Sequence, residues 1–203
     1  MTSKSGIPLG RRDEAWERLV LAAQRCGKCP LAPGRKNVVF GDGDRSTRIL
    51  FIGEAPGAEE DEQGIPFVGK AGQLLTRILE AAGIDRKDIY ITNVVKCRPP
   101  GNRVPSIEEM HSCEDILKSQ VALINPSIIV CLGATPTKWI LKTGPGESIS
   151  KIRGKWFDWK GIRVMPMFHP SFLLRNQSKK KGSPRELTWI DIQEVRDRWL
   201  ECR

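Results

Sequence analysis

The side chains of this sequence best suited to holding a metal or attacking an electrophile are six cysteines and two histidines. Cys26 and Cys29 form a CxxC pair, and Cys97 and Cys113 follow far downstream. These four supply enough thiolates for a tetrahedral zinc site or a [4Fe–4S] cluster, and the spacing leaves the choice of metal open. Lys28, Arg98 and a helix expected to begin near Ser106 provide the positive surroundings that favour thiolates. The plain alternative is a set of scattered structural cysteines. Cys131 falls in an apolar run and reads as core, and Cys202, next to the C-terminus, reads as unpaired.

Three further residues are candidates for recognising a ligand. His169 leaves an apolar run directly before Pro170, where an imidazole can donate a hydrogen bond to developing negative charge; it reads equally well as a turn cap. Asn93 closes another apolar run. Its carboxamide offers a donor and an acceptor side by side, the pairing that a nucleobase edge needs. Phe67 is isolated in a polar loop, where it could stack on a base or cap the core. The Phe-Leu-Leu-Arg run through Leu173, Leu174 and Arg175 looks like core, but exposed apolar residues beside an arginine could also wedge into a base stack. His111 reads as a surface or supporting residue.

The stretch FIGEAPGAEEDEQGIPFVGKAG, residues 51–72, passes from an apolar run into Gly, Pro and five carboxylates. It is either an ordinary solvated turn or a bend that aims something at a ligand. A solvated loop is the plainer reading of Glu59, Asp61 and Glu62.

Positioning these residues needs a scaffold. Apolar spacing predicts a helix over 13–24, a strand over 48–52, a helix over 69–82 stopped by Gly83, and a strand over 89–95. Ser106-Ile-Glu-Glu109 is a capping-box pattern opening a helix that runs to Ile124, where Asn125-Pro126 breaks it. A strand over 127–132, a short helix to Leu141, a WFDWKG turn, a strand over 163–168 and a closing helix over 187–202 complete the chain. Alternation of strands and helices implies an α/β fold: three layers, α/β/α, around a central four-stranded parallel sheet, in one domain spanning 1–203 with an N-terminal helix and the CxxC. In such sheets ligands bind beyond the carboxyl ends of the strands. The segments GEAPG, NVVKCRPPGNR and HPSFLLRN should therefore meet at one end.

Length and composition suit a globular domain with a full core. A formal charge of +9 suits a polyanionic partner. No apolar run approaches the roughly 20 residues that span a bilayer, and MTSKSGIPLGRRDE lacks the apolar region of a signal peptide. A cytoplasmic location is expected, where cysteines are metal ligands or free thiols more often than disulfides.

Taken together, GEAPGAEED (53–61), GIPFVGKAGQLL (64–75), NVVKCRPPGNRVPS (93–106), INPSIIVCLGAT (124–135) and FHPSFLLRN (168–176) resemble the iron–sulfur, or family 4, uracil-DNA glycosylases over about Glu14 to Asn176. The resemblance implies a repair enzyme that hydrolyses the N-glycosidic bond of uracil flipped out of DNA and leaves an abasic site. It implies that Phe67 stacks on the base, Asn93 reads its edge, Ala55 lends a backbone N–H, and Ser171 joins them in the base site. His169 would bond the uracil oxygen as the bond breaks, and Glu54 and Glu60 would lie near the sugar or its water. Leu173, Leu174 and Arg175 would touch DNA. Cys26, Cys29, Cys97 and Cys113 would hold a structural [4Fe–4S] cluster. The expected partner is uracil-containing DNA, single- or double-stranded, bound by a monomer in the nucleoid; the sequence offers no support for a sliding-clamp contact.

Other branches of that superfamily carry an Asp where Ala55 stands, which leaves open whether Glu54, Glu60 or Asp61 positions water. A neighbouring branch that traps uracil DNA covalently has a histidine-bearing insertion where this chain has GNRVP, so turnover is expected over trapping. The remaining alternative is a zinc or iron–sulfur DNA-binding module without turnover.

Overall fold

The computed structural model describes residues 9–144, 146–178 and 180–202. Residues 1–8 of the MTSKSGIPLGRRDE stretch, and Lys179 of the basic QSKKKGSPR segment, lie outside the described residues. Helix α1 (Leu9–Gln24) starts four residues before the apolar spacing begins. The strands are β1 (Asp42–Gly43), β2 (Ile49–Gly53), β3 (Tyr90–Asn93), β4 (Ile128–Leu132), β5 (Phe157–Trp159) and β6 (Ile162–Met167). The remaining helices are α2 (Ala58–Gln63), α3 (Lys70–Ala81), α4 (Ile107–Ile124), α5 (Ala134–Leu141), α6 (Ile149–Ile152), α7 (Pro170–Arg175) and α8 (Pro184–Leu200).

The sheet has six strands in the order β1-β3-β2-β4-β6-β5. Its centre, β3-β2-β4-β6, is parallel throughout, as expected. The four-stranded description is corrected at both edges, where β1 and β5 add short antiparallel strands. Neither is long enough to show a period. The WFDWKG turn is the tip of a hairpin in which Lys160 and Gly161 both take positive φ (55° and 78°), the geometry that matches strand twist across a two-residue loop.

The apolar runs of β2 and β4 are buried along their whole length because helices cover both faces. Leu50, Ile52, Ile129 and Cys131 face α1 and α4 through Trp16, Leu117 and Val121. Ile49, Phe51, Val130 and Met165 face α3 and α8 through Leu75, Leu79, Ile192 and Val195. Each such aliphatic side chain withdrawn from water contributes roughly 1.5–3 kcal/mol. The capping box of α4 forms: Glu109 N–H donates to Ser106 Oγ at 3.2 Å, and Ser106 N–H donates to Glu109 Oε2 at 2.7 Å. Among the described residues no helix is long and apolar enough to cross a membrane.

Candidate active site

Parallel pairing places Gly53 opposite Asn93, so the loops after β2 and β3 leave the same edge of the sheet as the loop after β6. Between them lies a cavity of about 250 Å³ walled by Glu54, Ala55, Glu60, Phe67, Asn93, His169 and Ser171, and closed on one side by Pro99, Asn102 and Arg103. It is smaller than the roughly 300–1,000 Å³ of sites for drug-sized ligands, a size suited to one flat heterocycle. The structure thus brings together the strand-end residues that the sequence singled out.

Asn93 is 1% exposed, and its buried Oδ1 has no hydrogen-bond partner among the described residues. Leaving such a carbonyl unpaired costs about 1–3 kcal/mol, which a donor arriving in the cavity would recover. Gly53 makes room for it: a Cβ there would lie 2.3 Å from Asn93 Oδ1 and 2.5 Å from Phe67 Cζ. Phe67, 7% exposed, holds a left-handed φ of 54°. Phe67 and His169 both line the cavity, their rings in tilted contact.

His169 caps the first turn of α7. Its Nδ1 accepts the backbone N–H of Ser171 at 3.1 Å and lies 2.8 Å from Ser171 Oγ. With Nδ1 accepting, the neutral ring carries its proton on Nε2. Burial, reinforced by the Arg175 guanidinium and only partly offset by Glu60, pushes the imidazole down to about 4. The ring is therefore a neutral N–H donor at physiological pH.

The acidic stretch folds as α2 and its flanks, and its carboxylates divide. Glu54 Oε2 accepts the hydroxyl of Thr135, at the start of α5. Glu60 accepts three backbone N–H groups: Gly57 on Oε2 at 3.1 Å, and Val68 and Gly69 on Oε1 at 3.0 and 2.9 Å. It ties the cavity floor to the Phe67 loop. Asp61 is not solvated, contrary to the plainer reading; it is buried and accepts the N–H groups of Lys36 and Asn37. That engagement removes it from the candidates for positioning water. Glu62 is exposed and pairs with Lys36.

One DNA-contact expectation is corrected. Because α7 begins at Pro170, Leu173 turns inward and is 1% exposed, so it is core rather than wedge. Leu174 is half-buried and Arg175 exposed. His111 packs edge-on to Trp139 at 4.8 Å, away from the cavity.

The four cysteines of the expected set lie near enough to act on one another electrostatically. Cys26 and Cys29 follow α1, Cys97 follows β3, and Cys113 lies on α4. All are free, and Cys97 and Cys113 are buried. Burial raises both of these thiols, Cys97 against the opposing Arg35 guanidinium and Cys113 against Lys96; Cys29 and the other buried thiol also raise Cys97, and Cys29 and Cys26 raise Cys113. Arg35 Nη1 lies 3.4 Å from Cys97 Sγ and also donates to the carbonyl of Cys26 at 2.7 Å, joining two of the chain segments. Lys96, 1% exposed, is pushed down to about 7 by burial, against the neighbouring Cys113 and Cys97. Its Nζ donates to Thr92 Oγ1 (2.7 Å) and to the carbonyl of Asn93 (2.6 Å). Among the described residues no three His, Cys, Asp or Glu side chains close on one point as a single ion would require.

Sequence reasoning missed several of these partners: Thr135, Asn102, Arg103 and Lys96. The last three lie within NVVKCRPPGNR, which the strand-end rule had placed at the site as a segment without assigning its side chains. Thr135 ends the INPSIIVCLGAT segment, but nothing in the sequence signalled its contact with Glu54.

The model of the uracil DNA glycosylase superfamily matches residues 40–193. The chain is 48% identical over 186 residues to the type-4 uracil-DNA glycosylase of Thermotoga maritima, covering 91% of this chain and 95% of that protein. It is 46% identical to the type-4 uracil-DNA glycosylase of Saccharolobus solfataricus, over 78% of this chain and 76% of the relative. Identity to the corresponding protein of Archaeoglobus fulgidus is 42%, over 79% and 84%.

Proposed function

The chain belongs to the uracil DNA glycosylase superfamily, and on that premise we propose that it excises uracil from DNA by hydrolysis of the N-glycosidic bond. The observation that carries this reading is the unpartnered Asn93 Oδ1 at the floor of a cavity flanked by Phe67 and a neutral His169. Uracil presents an N–H between two carbonyl oxygens. Asn93 Oδ1 accepts that N–H and its amide nitrogen donates to one oxygen, while Phe67 stacks on the ring.

As the bond between C1′ and the base nitrogen breaks, its electron pair stays with the base and the sugar becomes cation-like, as in glycoside hydrolysis. The His169 Nε2–H donates to the uracil oxygen that gains charge, a stabilisation of roughly 3 kcal/mol by analogy with oxyanion holes. Because the imidazole is neutral, it donates a hydrogen bond and keeps its proton. Ser171 holds it by Nδ1. Ala55 lines the cavity, where its backbone N–H approaches the base. Water adds to C1′ and its proton leaves to solvent. Glu54 is the carboxylate assigned to orient that water and face the sugar cation. Glu60, occupied by three N–H groups, acts by positioning the Phe67 loop.

A [4Fe–4S] cluster is the group that fits Cys26, Cys29, Cys97 and Cys113. Support comes from four free thiols on three chain segments and from Lys96, buried beside Cys97 and Cys113. Held there it would act structurally, crosslinking α1, α4 and the loop that continues through Pro99, Asn102 and Arg103 into the cavity wall. Uracil-containing DNA in the cytoplasmic nucleoid is the proposed substrate, held by Leu174, Arg175 and the net positive charge.

Release of free uracil from oligonucleotides bearing uracil opposite G, opposite A and in single strands tests the reading. Base release with an intact backbone supports it. DNA binding without release would favour a binding module, and an adduct surviving denaturing electrophoresis would favour trapping. Absorbance near 400 nm supports the cluster; a colourless zinc protein would contradict it. Cys97→Ser should lose that absorbance and melt at lower temperature.

A further inference from the structure

We propose that Arg86 is a positioning residue that sets the grip of the aromatic platform on the base, with little part in bond cleavage. This rests on reading the cavity as a uracil site.

Arg86 opens a short 3-10 turn, Arg86–Asp88, that leads into β3, and it is not among the cavity's walls. Its guanidinium nevertheless reaches back to the loop that carries Phe67. Nη2 donates to the carbonyl of Pro66 at 2.5 Å. Nη1 donates to the carbonyl of Phe67 at 3.0 Å and lies 3.3 Å from Thr76 Oγ1 on α3. Nη2 also lies 3.8 Å from Asp42 Oδ2 of edge strand β1.

The loop needs such a hold. Phe67 sits at φ 54°, a region that disfavours a side chain bearing Cβ, and such a conformation persists only when its surroundings over-determine it. Its carbonyl is pressed against α3 at Gly72, where a Cβ would lie 1.9 Å from Phe67 O. Two opposed clamps fix the segment: Arg86 takes the carbonyls of residues 66 and 67, and Glu60 takes the N–H groups of residues 68 and 69. Each clamp holds a different polarity of the same four-residue stretch. Without the guanidinium, Phe67 is free to return to negative φ and its ring to swing from the cavity it lines with His169. The consequence falls on base binding, because neither His169 nor Glu54 touches Arg86.

The test uses the cluster-loaded full chain and follows KM on uracil-containing DNA, the single-turnover rate at saturation, and the inhibition constant of free uracil. Arg86→Gln should raise KM and the uracil inhibition constant about tenfold, the weight of hydrogen bonds to a charged donor, with the saturated rate within about threefold. Arg86→Lys, which keeps charge and donors without the planar fork, should recover part of both losses. Thr76→Val, which removes only the third contact, should shift both constants in the same direction by less. If Arg86→Gln fails to fold, the Lys and Thr76→Val variants carry the test. An unchanged inhibition constant for uracil in the folded variants would overturn the inference, as would a fall in the saturated rate with KM unmoved. Wild-type protein that released no uracil would instead sink the functional reading itself.

Discussion

The rings of Phe67 and His169 stand 5.8 Å apart, centroid to centroid, and are inclined by 36°. One comes from a loop of the β2–α3 connection and the other from the end of β6, so the pair exists only because the parallel sheet delivers both loops to one edge. Phe67 offers a face for stacking, and His169 offers a neutral N–H whose partner nitrogen is already held by Ser171. Together with the unpaired Asn93 Oδ1 they separate two tasks: gripping a pyrimidine and receiving its charge as it departs.

Asn93→Ala should slow uracil release by roughly 10²–10³-fold, since it removes both the acceptor and the donor that read the base edge. The same change should leave the thermal midpoint close to wild type, because the deleted oxygen has no protein partner to lose. Calorimetry beside a single-turnover assay checks both. A large fall in midpoint would mean that Asn93 serves the fold.

The His169 imidazole titrates at about 4 in the folded chain, against about 6.5 when unfolded. Between those values the unfolded chain binds the extra proton, so stability from this residue is present above pH 6.5 and is lost as pH falls toward 4. Melting temperature should decline more steeply from pH 6.5 to 4.5 in wild type than in His169→Gln. Excision should show no acid limb near pH 6.5 attributable to this residue. Parallel slopes in the two proteins would remove the neutral-donor account.

Glu54→Gln should lower the single-turnover rate with little change in KM, because its carboxylate charge is assigned to the sugar and its water. Glu60→Gln should do the reverse, raising KM and lowering the melting point, because a carboxamide accepts fewer of the N–H groups from Gly57, Val68 and Gly69. Steady-state kinetics on both variants separates the roles; interchanged phenotypes would reverse the assignment.

Neighbouring leucines on α7 should part company. Leu173→Ala should cost about 2–5 kcal/mol of stability, as for other buried leucines. Leu174→Ala and Arg175→Ala should leave the melting point near wild type and weaken DNA binding, the arginine change lowering the magnitude of the salt slope by about one. Denaturant titration and fluorescence anisotropy at several salt concentrations measure the two effects.

What the sequence disclosed follows a physical divide. Parallel strands buried on both faces write themselves as continuous apolar runs, and the carboxyl-end rule then brought Glu54, Asn93 and His169 together without coordinates. The capping box of α4 was legible because it is local. Strands β1 and β5 were not, since two or three residues carry no period. Helix α2 was hidden because its residues are acidic on every side, and it is held by capping and by the buried Asp61 rather than by an apolar stripe. The facing of Leu173 depended on which residue begins α7. Arg86 and Thr135 act across chain separations that leave no trace in spacing.

The most direct measurement is chromatographic detection of free uracil from a synthetic strand carrying one deoxyuridine, with wild type and Asn93→Ala side by side at matched DNA occupancy. Wild type should release the base and leave an abasic site, and the variant should lag by at least about 100-fold with its DNA affinity retained. Equal rates in the two proteins, or wild type bound to the strand with its uracil still attached, would contradict the account.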